Sequence, residues 1–242
     1  MKPGVYENMP DDEYRALPAM SHSGLKQWIS HSSIGRKGLV GSLLHARVLE
    51  GIEAVKARYV AAPEDYDLRT TEGKAAMAAL EVEGKAAVRP RERAAAGAMY
   101  KALYADERAS KALALPGPRE VVIVGEFPGI KTQVKAKIDL MLDAVTVDLK
   151  STGYPTQDLF INAIAEFGYA AQGAWYRDIR GHVTGTWVPF TWLCVSAMEP
   201  HDVWIQRLTN EQAAFGRYWY MTALKLYERY GKHDDKEVED GE

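Results

Sequence analysis

The sequence predicts a mixed α/β (α+β) fold, in which a central mixed sheet with an antiparallel meander is flanked by helices. The first supporting observation is residues 135–150, KAKIDLMLDAVTVDLK, where apolar and polar side chains alternate with a short break at Asp143-Ala144. Strict alternation is typical of half-buried strands, so this stretch predicts two strands joined by a tight turn. The second observation is the order of elements, because helical periodicity precedes, interrupts and follows the segments with strand character.

The individual elements follow from periodicity and from breaker residues. The N-terminal arm, residues 1–20, holds three prolines and is predicted to be irregular. Helices are predicted at about 21–29, 41–51, 71–83, 90–114, 159–179 and 210–230. Strands are predicted at 121–127, 130–142, 145–150, 186–197 and 203–208. Residues 52–115 are predicted as a helical, basic insertion and residues 233–242 as a disordered acidic tail, which leaves residues 1–232 as one domain.

The composition is that of an ordinary globular protein, with 47% hydrophobic and 26% charged residues. The formal net charge of −3 gives no overall attraction to nucleic acid, so any such binding would need local basic patches. The single cysteine, Cys194, excludes an internal disulfide framework and fits a reducing compartment. No signal peptide is visible, and no apolar run approaches the roughly 18 residues of a membrane helix, so we expect a cytoplasmic protein.

A pair of carboxylates is expected where the two central strands face each other. If residues 143–144 form a two-residue turn, Asp139 faces Asp148 directly, and like charges so placed are destabilising. A divalent cation such as Mg²⁺ would account for the pair, because hard ions take carboxylate oxygens. A solvated polar face, with Lys150 as a simple counterion, is the alternative that the pattern leaves open.

Three further residues are candidates near this pair. His45 lies beside the apolar face of the helix at 41–51 and points inward or into a cleft, and a hydrogen-bonded core histidine is the alternative. Glu126 is a possible third acid, in a register that the sequence does not fix. Glu50 lies on a different side of the same helix from His45, and it could as easily be a solvated charge near the helix end as a member of the site.

The densest basic cluster lies before the helix at 90–114. Its members are Lys85, Arg89, Arg91 and Arg93, and the loop at 30–38 adds Arg36 and Lys37. Such side chains could contact DNA phosphates, or they could form a solvated helix start, since Glu92 sits among the first group.

The residues of the central strands resemble those of a known superfamily. An acid on one strand and Asp-x-Lys on the next, here Asp139 and then residues 148–150, is similar to the restriction-endonuclease-like core of the PD-(D/E)xK nucleases. The segment GSLLHARVLEG resembles the G-x-x-x-H helix of the RecB-like and CRISPR-adaptation branches, and Gln172 with Tyr176 resembles the Q-x-x-x-Y helix of those branches. Phrases such as VKAKIDLM, VDLKST and FGYAAQGAWYRD resemble phage and prophage proteins of the exonuclease VIII (RecE-type) C-terminal domain, over residues 14–230.

The resemblance implies a metal site and a role for each of its residues. His45, Asp139 and Asp148 would hold Mg²⁺, or Mn²⁺ in its place, with the carbonyl of Leu149 as a further ligand. Lys150 would orient or activate the attacking water and stabilise charge on the phosphate. The catalytic set is then Lys150, Asp148, Asp139, Gln172 and Tyr176, and the DNA-binding set is Arg36, Lys37, Arg89, Arg91 and Arg93.

The resemblance also implies a function. The expected protein is a metal-dependent exonuclease that degrades double-stranded DNA ends, 5′ to 3′, in phage-type homologous recombination in a bacterial cytoplasm. A RecT-type single-strand annealing protein would be its partner, and a homo-oligomer in the form of a ring would be its assembly. An endonuclease or single-strand nuclease of the same fold, and a non-catalytic DNA-binding or assembly protein, are the alternatives.

Overall fold

The computed structural model describes residues 1–30, 38–62, 70–80, 85–166 and 168–231. The predicted tail at 233–242 and the predicted DNA-contacting residues Arg36 and Lys37 lie outside the described residues.

Helices and strands are mixed along the chain. The strands are β1 (Gly4–Tyr6), β2 (Met20–Ser21), β3 (Tyr59–Ala61), β4 (Ala86–Val88), β5 (Arg119–Gly125), β6 (Val134–Met141), β7 (Thr146–Thr152), β8 (Phe190–Ser196) and β9 (Val203–Arg207). The helices are α1 (Asp11–Ala16), α2 (His22–Ser30), α3 (Leu39–His45), α4 (Ile52–Arg58), α5 (Thr71–Leu80), α6 (Pro90–Ala105), α7 (Glu107–Ala114), α8 (Gln157–Glu166), α9 (Tyr169–Thr184) and α10 (Asn210–Leu226). Single π-helical turns, Ala46–Glu50 and Tyr227–Gly231, extend α3 and α10.

Among the described residues, seven strands form one mixed sheet, which confirms the predicted fold class. The strand order is β1-β5-β6-β7-β8-β9, and β2 pairs with β6. Strands β5, β6 and β7 are antiparallel neighbours and form the predicted meander, whereas β7 and β8 run parallel. The chain passes through α8 and α9 between β7 and β8, because parallel neighbours need a long crossover connection.

The tight turn between β6 and β7 has the predicted register. Leu140 pairs with Val147, as a two-residue turn requires. The ladder of paired residues ends there, and the N–H of Leu149 donates to the side chain of Asp139 over 2.7 Å. Asp139 and Asp148 are the next residues in this register but do not form a ladder pair, because the Asp139 carboxylate takes the N–H that a backbone carbonyl would otherwise accept. Their direct opposition stays a prediction.

Helices cover both faces of the sheet at β8. Leu193 and Val195 pack with side chains of α3, α6 and α7. Trp192 and Cys194 belong to a second cluster, with Phe160 of α8 and residues of α9. Since successive strand residues point to opposite faces, these two clusters lie on the two sides of the sheet. The predicted arrangement of a sheet flanked by helices is confirmed, and Cys194 is buried as expected.

Helices α9 and α10 pack against each other at very short range. A Cβ atom on Gly216 of α10 would lie 2.2 Å from the carbonyl oxygen of Ala170, in the first turn of α9. Further along, the fully buried Asp178 accepts hydrogen bonds from Arg217 at 2.6 and 2.7 Å and from the Tyr220 hydroxyl at 2.7 Å. These contacts fix the first turn of α9, which faces the sheet.

The N-terminal arm is folded, which corrects the prediction that it is irregular. Strand β1 pairs with β5, and β2 pairs with β6. Met9 packs against Val122. The buried ammonium of Lys135 donates to the carbonyls of Tyr14 and Leu17 at 2.8 and 2.9 Å. The arm is therefore held by contacts with the sheet, and its strands of two or three residues are too short to show periodicity.

Two predicted long helices are each broken into two. Gly168, at φ 73°, separates α8 from α9 within the predicted helix 159–179. Asp106 separates α6 from α7 within the predicted helix 90–114, and its carboxylate accepts from two N–H groups in the first turn of α7. Glycine adopts the left-handed conformation without steric cost, and aspartate is a favoured N-cap residue, so both breaks have a local cause.

The predicted helical insertion at 52–115 also contains strands. Helices α4 to α7 lie in it, but β3 and β4 form a parallel two-stranded sheet. Val88 of β4 packs against Leu43 and Ala96. These tertiary contacts stabilise strands that the local composition does not favour.

No helix among the described residues is both long and apolar enough to cross a membrane.

Candidate active site

Helix α3 brings His45 to the sheet. Gly41 lies one turn before His45, and a Cβ atom on Gly41 would lie 2.7 Å from Oγ of Ser151 on β7, so glycine allows the helix to approach the strand closely. Nδ1 of His45 then lies 3.7 Å from Oδ2 of Asp139. The His45 side chain is 32% exposed, which places it in a cleft and not in the core. The chain continues into the π-helical turn Ala46–Glu50, and such turns are frequent at functional sites.

Two aspartates from β6 and β7 lie at this cleft. Oδ2 of Asp139 accepts the hydrogen bond from the N–H of Leu149 at 2.7 Å. Burial, together with the negative charges of Asp148 and Glu120, raises the pKa of Asp139 well above its ordinary value. Carboxylates held close together in a buried place favour a cation among them, because the cation offsets their mutual repulsion.

Lys150 and Gln172 form a connected set with Asp148. Nζ of Lys150 lies 2.8 Å from Oδ2 of Asp148 and donates to Oε1 of Gln172 over 3.2 Å. Nε2 of Gln172 donates to Oδ1 of Asp148 over 3.3 Å. Burial lowers the pKa of Lys150, but the charge and hydrogen bond of Asp148 and the charge of Asp139 raise it, and the pKa lies above its ordinary value, so the ammonium stays charged. The Lys150 ammonium also lies 5.4 Å from the ring centroid of Tyr169.

Tyr176 lies one turn behind Gln172 and supports it. Its ring packs edge-on against Phe190, with the ring centroids 6.1 Å apart. Burial raises the pKa of Tyr176 well above its ordinary value, while a hydrogen bond with Gln172 acts in the opposite direction. Tyr176 therefore positions Gln172, and its predicted catalytic role stays a prediction.

The donor atoms at this site fit a hard divalent cation. His45, Glu120 and Asp139 each offer a ligand atom, and these atoms lie within 4.8 Å of one another. Asp148 is only 3% exposed, and its charge lies close enough to raise the pKa of Asp139. Carboxylate oxygens with one imidazole nitrogen are suitable ligands for Mg²⁺ or Mn²⁺. The participation of Asp148 and of the Leu149 carbonyl as ligands stays a prediction.

Glu120, and not Glu126, is the third acid of the site. Glu126 follows the last residue of β5 and is exposed. Glu120 lies in β5 at the position that the register with β6 puts opposite Asp139. The predicted strand at 121–127 began one residue too late to include Glu120, and a correct start would have placed two acids side by side.

The basic residues at the start of α6 have different environments. The backbone N–H and the guanidinium of Arg89 both donate hydrogen bonds to the Glu92 carboxylate, so Arg89 takes part in capping its own helix. This agrees with the alternative that the cluster forms a helix start. Arg91 and Arg93 are exposed. Their contact with DNA stays a prediction.

The mixed sheet, with an aspartate on β6, Asp-x-Lys on β7 and a histidine from a preceding helix, defines a nuclease core of the PD-(D/E)xK class. The chain belongs to the family described as "PDDEXK-like domain of unknown function (DUF3799)", whose model matches residues 25–240. The predicted membership of the PD-(D/E)xK superfamily is thereby confirmed, whereas the finer likeness to exonuclease VIII stays a prediction.

A solved structure has the same fold. The chain is similar to a crystal structure from Eubacterium rectale described as "Putative exonuclease", with a TM-score of 0.64 and 19% sequence identity, over 91% of this chain and 85% of that chain. At this identity the likeness concerns the fold. No curated protein matches the sequence.

Proposed function

We propose that this protein is a metal-dependent deoxyribonuclease that hydrolyses phosphodiester bonds at double-stranded DNA ends, acting as an exonuclease from 5′ to 3′. The observation that carries the proposal is the contact set around Lys150. This lysine lies against Asp148 and Gln172, and Asp139 with His45 lies at the same cleft. A protein that only bound DNA would not need a partly buried lysine beside a buried aspartate, since each is costly to desolvate.

The proposed roles follow from position. His45, Asp139, Asp148 and the Leu149 carbonyl hold the ion, which, when bound, polarises the scissile phosphate and lowers the pKa of its water. The Lys150 ammonium orients the attacking water and stabilises negative charge on the phosphate.

Gln172 has a supporting role in this scheme. It accepts a hydrogen bond from Lys150 and donates one to Asp148, so it holds these two side chains in a fixed relative position.

The proposed reaction is hydrolysis. Water attacks phosphorus, the P–O bond to the leaving nucleotide breaks, and the leaving oxygen takes up a proton.

The remaining parts of the proposal concern DNA and partners. Arg91 and Arg93, exposed at the start of α6, are proposed to contact DNA phosphates. The net charge of −3 disfavours tight nonspecific DNA binding by a single chain. A ring of identical chains that encircles the DNA would keep the protein on its substrate without tight binding. In phage-type recombination in a bacterial cytoplasm, a single-strand annealing protein would receive the strand that is left.

The test uses three DNA substrates and one matched control. Linear duplexes labelled at the 5′ or the 3′ end, and a covalently closed circle, are incubated with Mg²⁺ or with EDTA. The wild type is expected to release label from the 5′ end first, to leave the circle intact and to be inactive in EDTA. Lys150→Ala is expected to be inactive, and Lys225→Ala, a change of an exposed lysine on α10, is expected to behave as the wild type.

Each unexpected result has its own meaning. Loss of the circle would show an endonuclease of the same core. If the duplexes stay intact and a labelled single strand given in their place is digested, the protein is a single-strand nuclease. DNA binding without digestion under any condition would favour the non-catalytic alternative and overturn the proposal.

A further inference from the structure

Glu120 has an unusual backbone conformation at the edge of the candidate site. Its φ is 54°, in the left-handed region that residues with a side chain rarely adopt. The residues on either side of it, Arg119 and Val121, pair in register with Leu140 and Ile138 of β6. Glu120 is thus the residue of β5 that stands opposite Asp139. A strand residue held in this conformation needs a compensating interaction, because the conformation is sterically strained for a residue with a side chain.

The Glu120 carboxylate is held from one side by a lysine. Nζ of Lys137 lies 2.6 Å from its Oε2 atom, and the same ammonium contacts Asp11 of the N-terminal arm. A carboxylate has two oxygens, so a lysine on one oxygen leaves a second for another partner. The ligand atom of Glu120 lies within 4.8 Å of those of His45 and Asp139. The lysine therefore orients Glu120 toward the histidine and the aspartate.

The charges around the site do not balance without a further cation. Glu120, Asp139 and Asp148 are three carboxylates, and Lys137 and Lys150 are the ammonium groups in contact with them. Lys137 is shared with a fourth carboxylate outside the site. A divalent cation at the shared position would complete the charge balance.

Asp148 adds a third negative charge beside Asp139. Its side chain is buried, with only 3% of the residue exposed, and Nζ of Lys150 lies 2.8 Å from its Oδ2 atom. The negative charges of Asp148 and Glu120 both act on Asp139. Carboxylates held this close together repel one another, and a divalent cation among them offsets that repulsion.

Glu120 also lines a cleft. The cleft has a volume of about 500 Å³, and Glu120 and Lys137 line it together with the ion pair formed by Glu50 and Arg58. His45 and Asp139 are not among its lining residues. Glu50, which the sequence left without a role, forms part of the wall of this cleft.

We propose that Glu120 is a fourth side-chain ligand of the divalent cation, beside His45, Asp139 and Asp148. The inference deepens the proposed function and rests on it only in taking this ion to be the catalytic one. The β5 strand thereby contributes to a site that the sequence motif assigns to α3, β6 and β7.

The test measures Mn²⁺ binding in the absence of DNA. Loss of the electron paramagnetic resonance signal of free Mn²⁺ gives the dissociation constant for the wild type and for Glu120→Gln, which keeps the shape of the side chain and removes its charge. We expect binding at least about tenfold weaker in Glu120→Gln. The control is Glu126→Gln, which neutralises an exposed glutamate of the same strand-to-loop region and is expected to leave the constant unchanged.

A second variant separates a ligand from a structural residue. Glu120→Gly suits the left-handed backbone, so it is expected to fold at least as well as the wild type and still to bind Mn²⁺ at least about tenfold more weakly. Wild-type Mn²⁺ affinity in both Glu120 variants, with weak binding in Asp139→Asn, would overturn the inference. Weak binding in the Glu120 variants of a protein that digests no DNA would support the ligand assignment and contradict only the proposed function.

Discussion

Replacing Gly216 with alanine places a methyl group inside the contact between α9 and α10. The new Cβ atom would lie 2.2 Å from the carbonyl oxygen of Ala170 and 2.9 Å from the Cα atom of Ala171. Both are backbone atoms, which cannot rotate away, so the helices must separate. Overpacking of this kind costs about 1–3 kcal/mol or more, against which alanine gains about 1 kcal/mol in helix propensity.

A second glycine in a helix provides a matched control for the free energy of unfolding. Gly97 lies within α6, and a Cβ atom there would have no neighbour within 4 Å, so Gly97→Ala gains helix propensity alone. Since both variants share that gain, the difference between them measures the contact at Gly216, which we expect to be at least about 2 kcal/mol. With a urea dependence of about 3 kcal/mol per molar, the two unfolding midpoints should differ by about 0.7 M.

The contact at Gly216 also bears on function. The first turn of α9 carries Gln172, so DNA cleavage by folded Gly216→Ala should fall below that of Gly97→Ala in the same buffer. Equal unfolding midpoints for the two variants would refute the reasoning, because they would show that the helices do not meet at Gly216.

Three further predictions concern single side chains. Asp178→Asn should lower the free energy of unfolding by about 3 kcal/mol in urea titrations, because it leaves the guanidinium of Arg217 without its buried carboxylate partner. The control, Asp202→Asn, changes an exposed residue and should alter the free energy of unfolding by less than about 0.5 kcal/mol. Burial lowers the pKa of His22 from 6.5 to about 3, so below pH 6.5 the unfolded chain binds a proton that the folded chain does not, and stability is lost as the pH falls. From pH 7.5 to pH 5, urea titrations should show the wild type losing about 2 kcal/mol more than His22→Phe, and equal losses would contradict the assignment of a neutral buried histidine. Gln172→Ala should lower kcat for DNA cleavage by about 10–100-fold with Mn²⁺ affinity near that of the wild type, and an unchanged kcat would show that Gln172 does not position Lys150.

The part of the site on β6 and β7 could be predicted from the sequence. Alternation over residues 135–150 fixed which side chains share a face, and the two-residue turn fixed the register through Leu140 and Val147. These features of β6 and β7 depend on residues close together in the chain, so local patterns are enough to find them. His45 lies far from the aspartates in the sequence, and its place beside them was expected from the resemblance of its segment to the G-x-x-x-H helix.

The part of the site on β5 could not be predicted in the same way. Alternation in the segment VVIVGEF indicates a strand but not where it begins, and Pro116-Gly-Pro118 suggested a later start than the true one at Arg119. The left-handed conformation of Glu120 leaves no periodic signal. Its place opposite Asp139 depends on pairing with a neighbouring strand, which is a tertiary contact.

The N-terminal arm shows the same limitation on a larger scale. Its elements are two to six residues long, and its prolines suggest an irregular chain. Its fold depends on Lys135, whose ammonium donates hydrogen bonds to backbone carbonyls of the arm, and on apolar contacts with β5. The alternation pattern placed Lys135 on a polar face but could not show that the chain's own first residues cover it.

The most direct test of the central claim compares DNA binding and DNA cleavage in Asp148→Ala. Fluorescence anisotropy measures binding to a labelled linear duplex, and release of labelled nucleotides with Mg²⁺ or EDTA measures cleavage, with Asp202→Ala as the control. If the buried aspartate and Lys150 form a hydrolytic metal site, Asp148→Ala should still bind DNA and cleave it at least about 100-fold more slowly, and the wild type should be inactive in EDTA. Cleavage by Asp148→Ala at the wild-type rate, or cleavage by the wild type that persists in EDTA, would contradict the account.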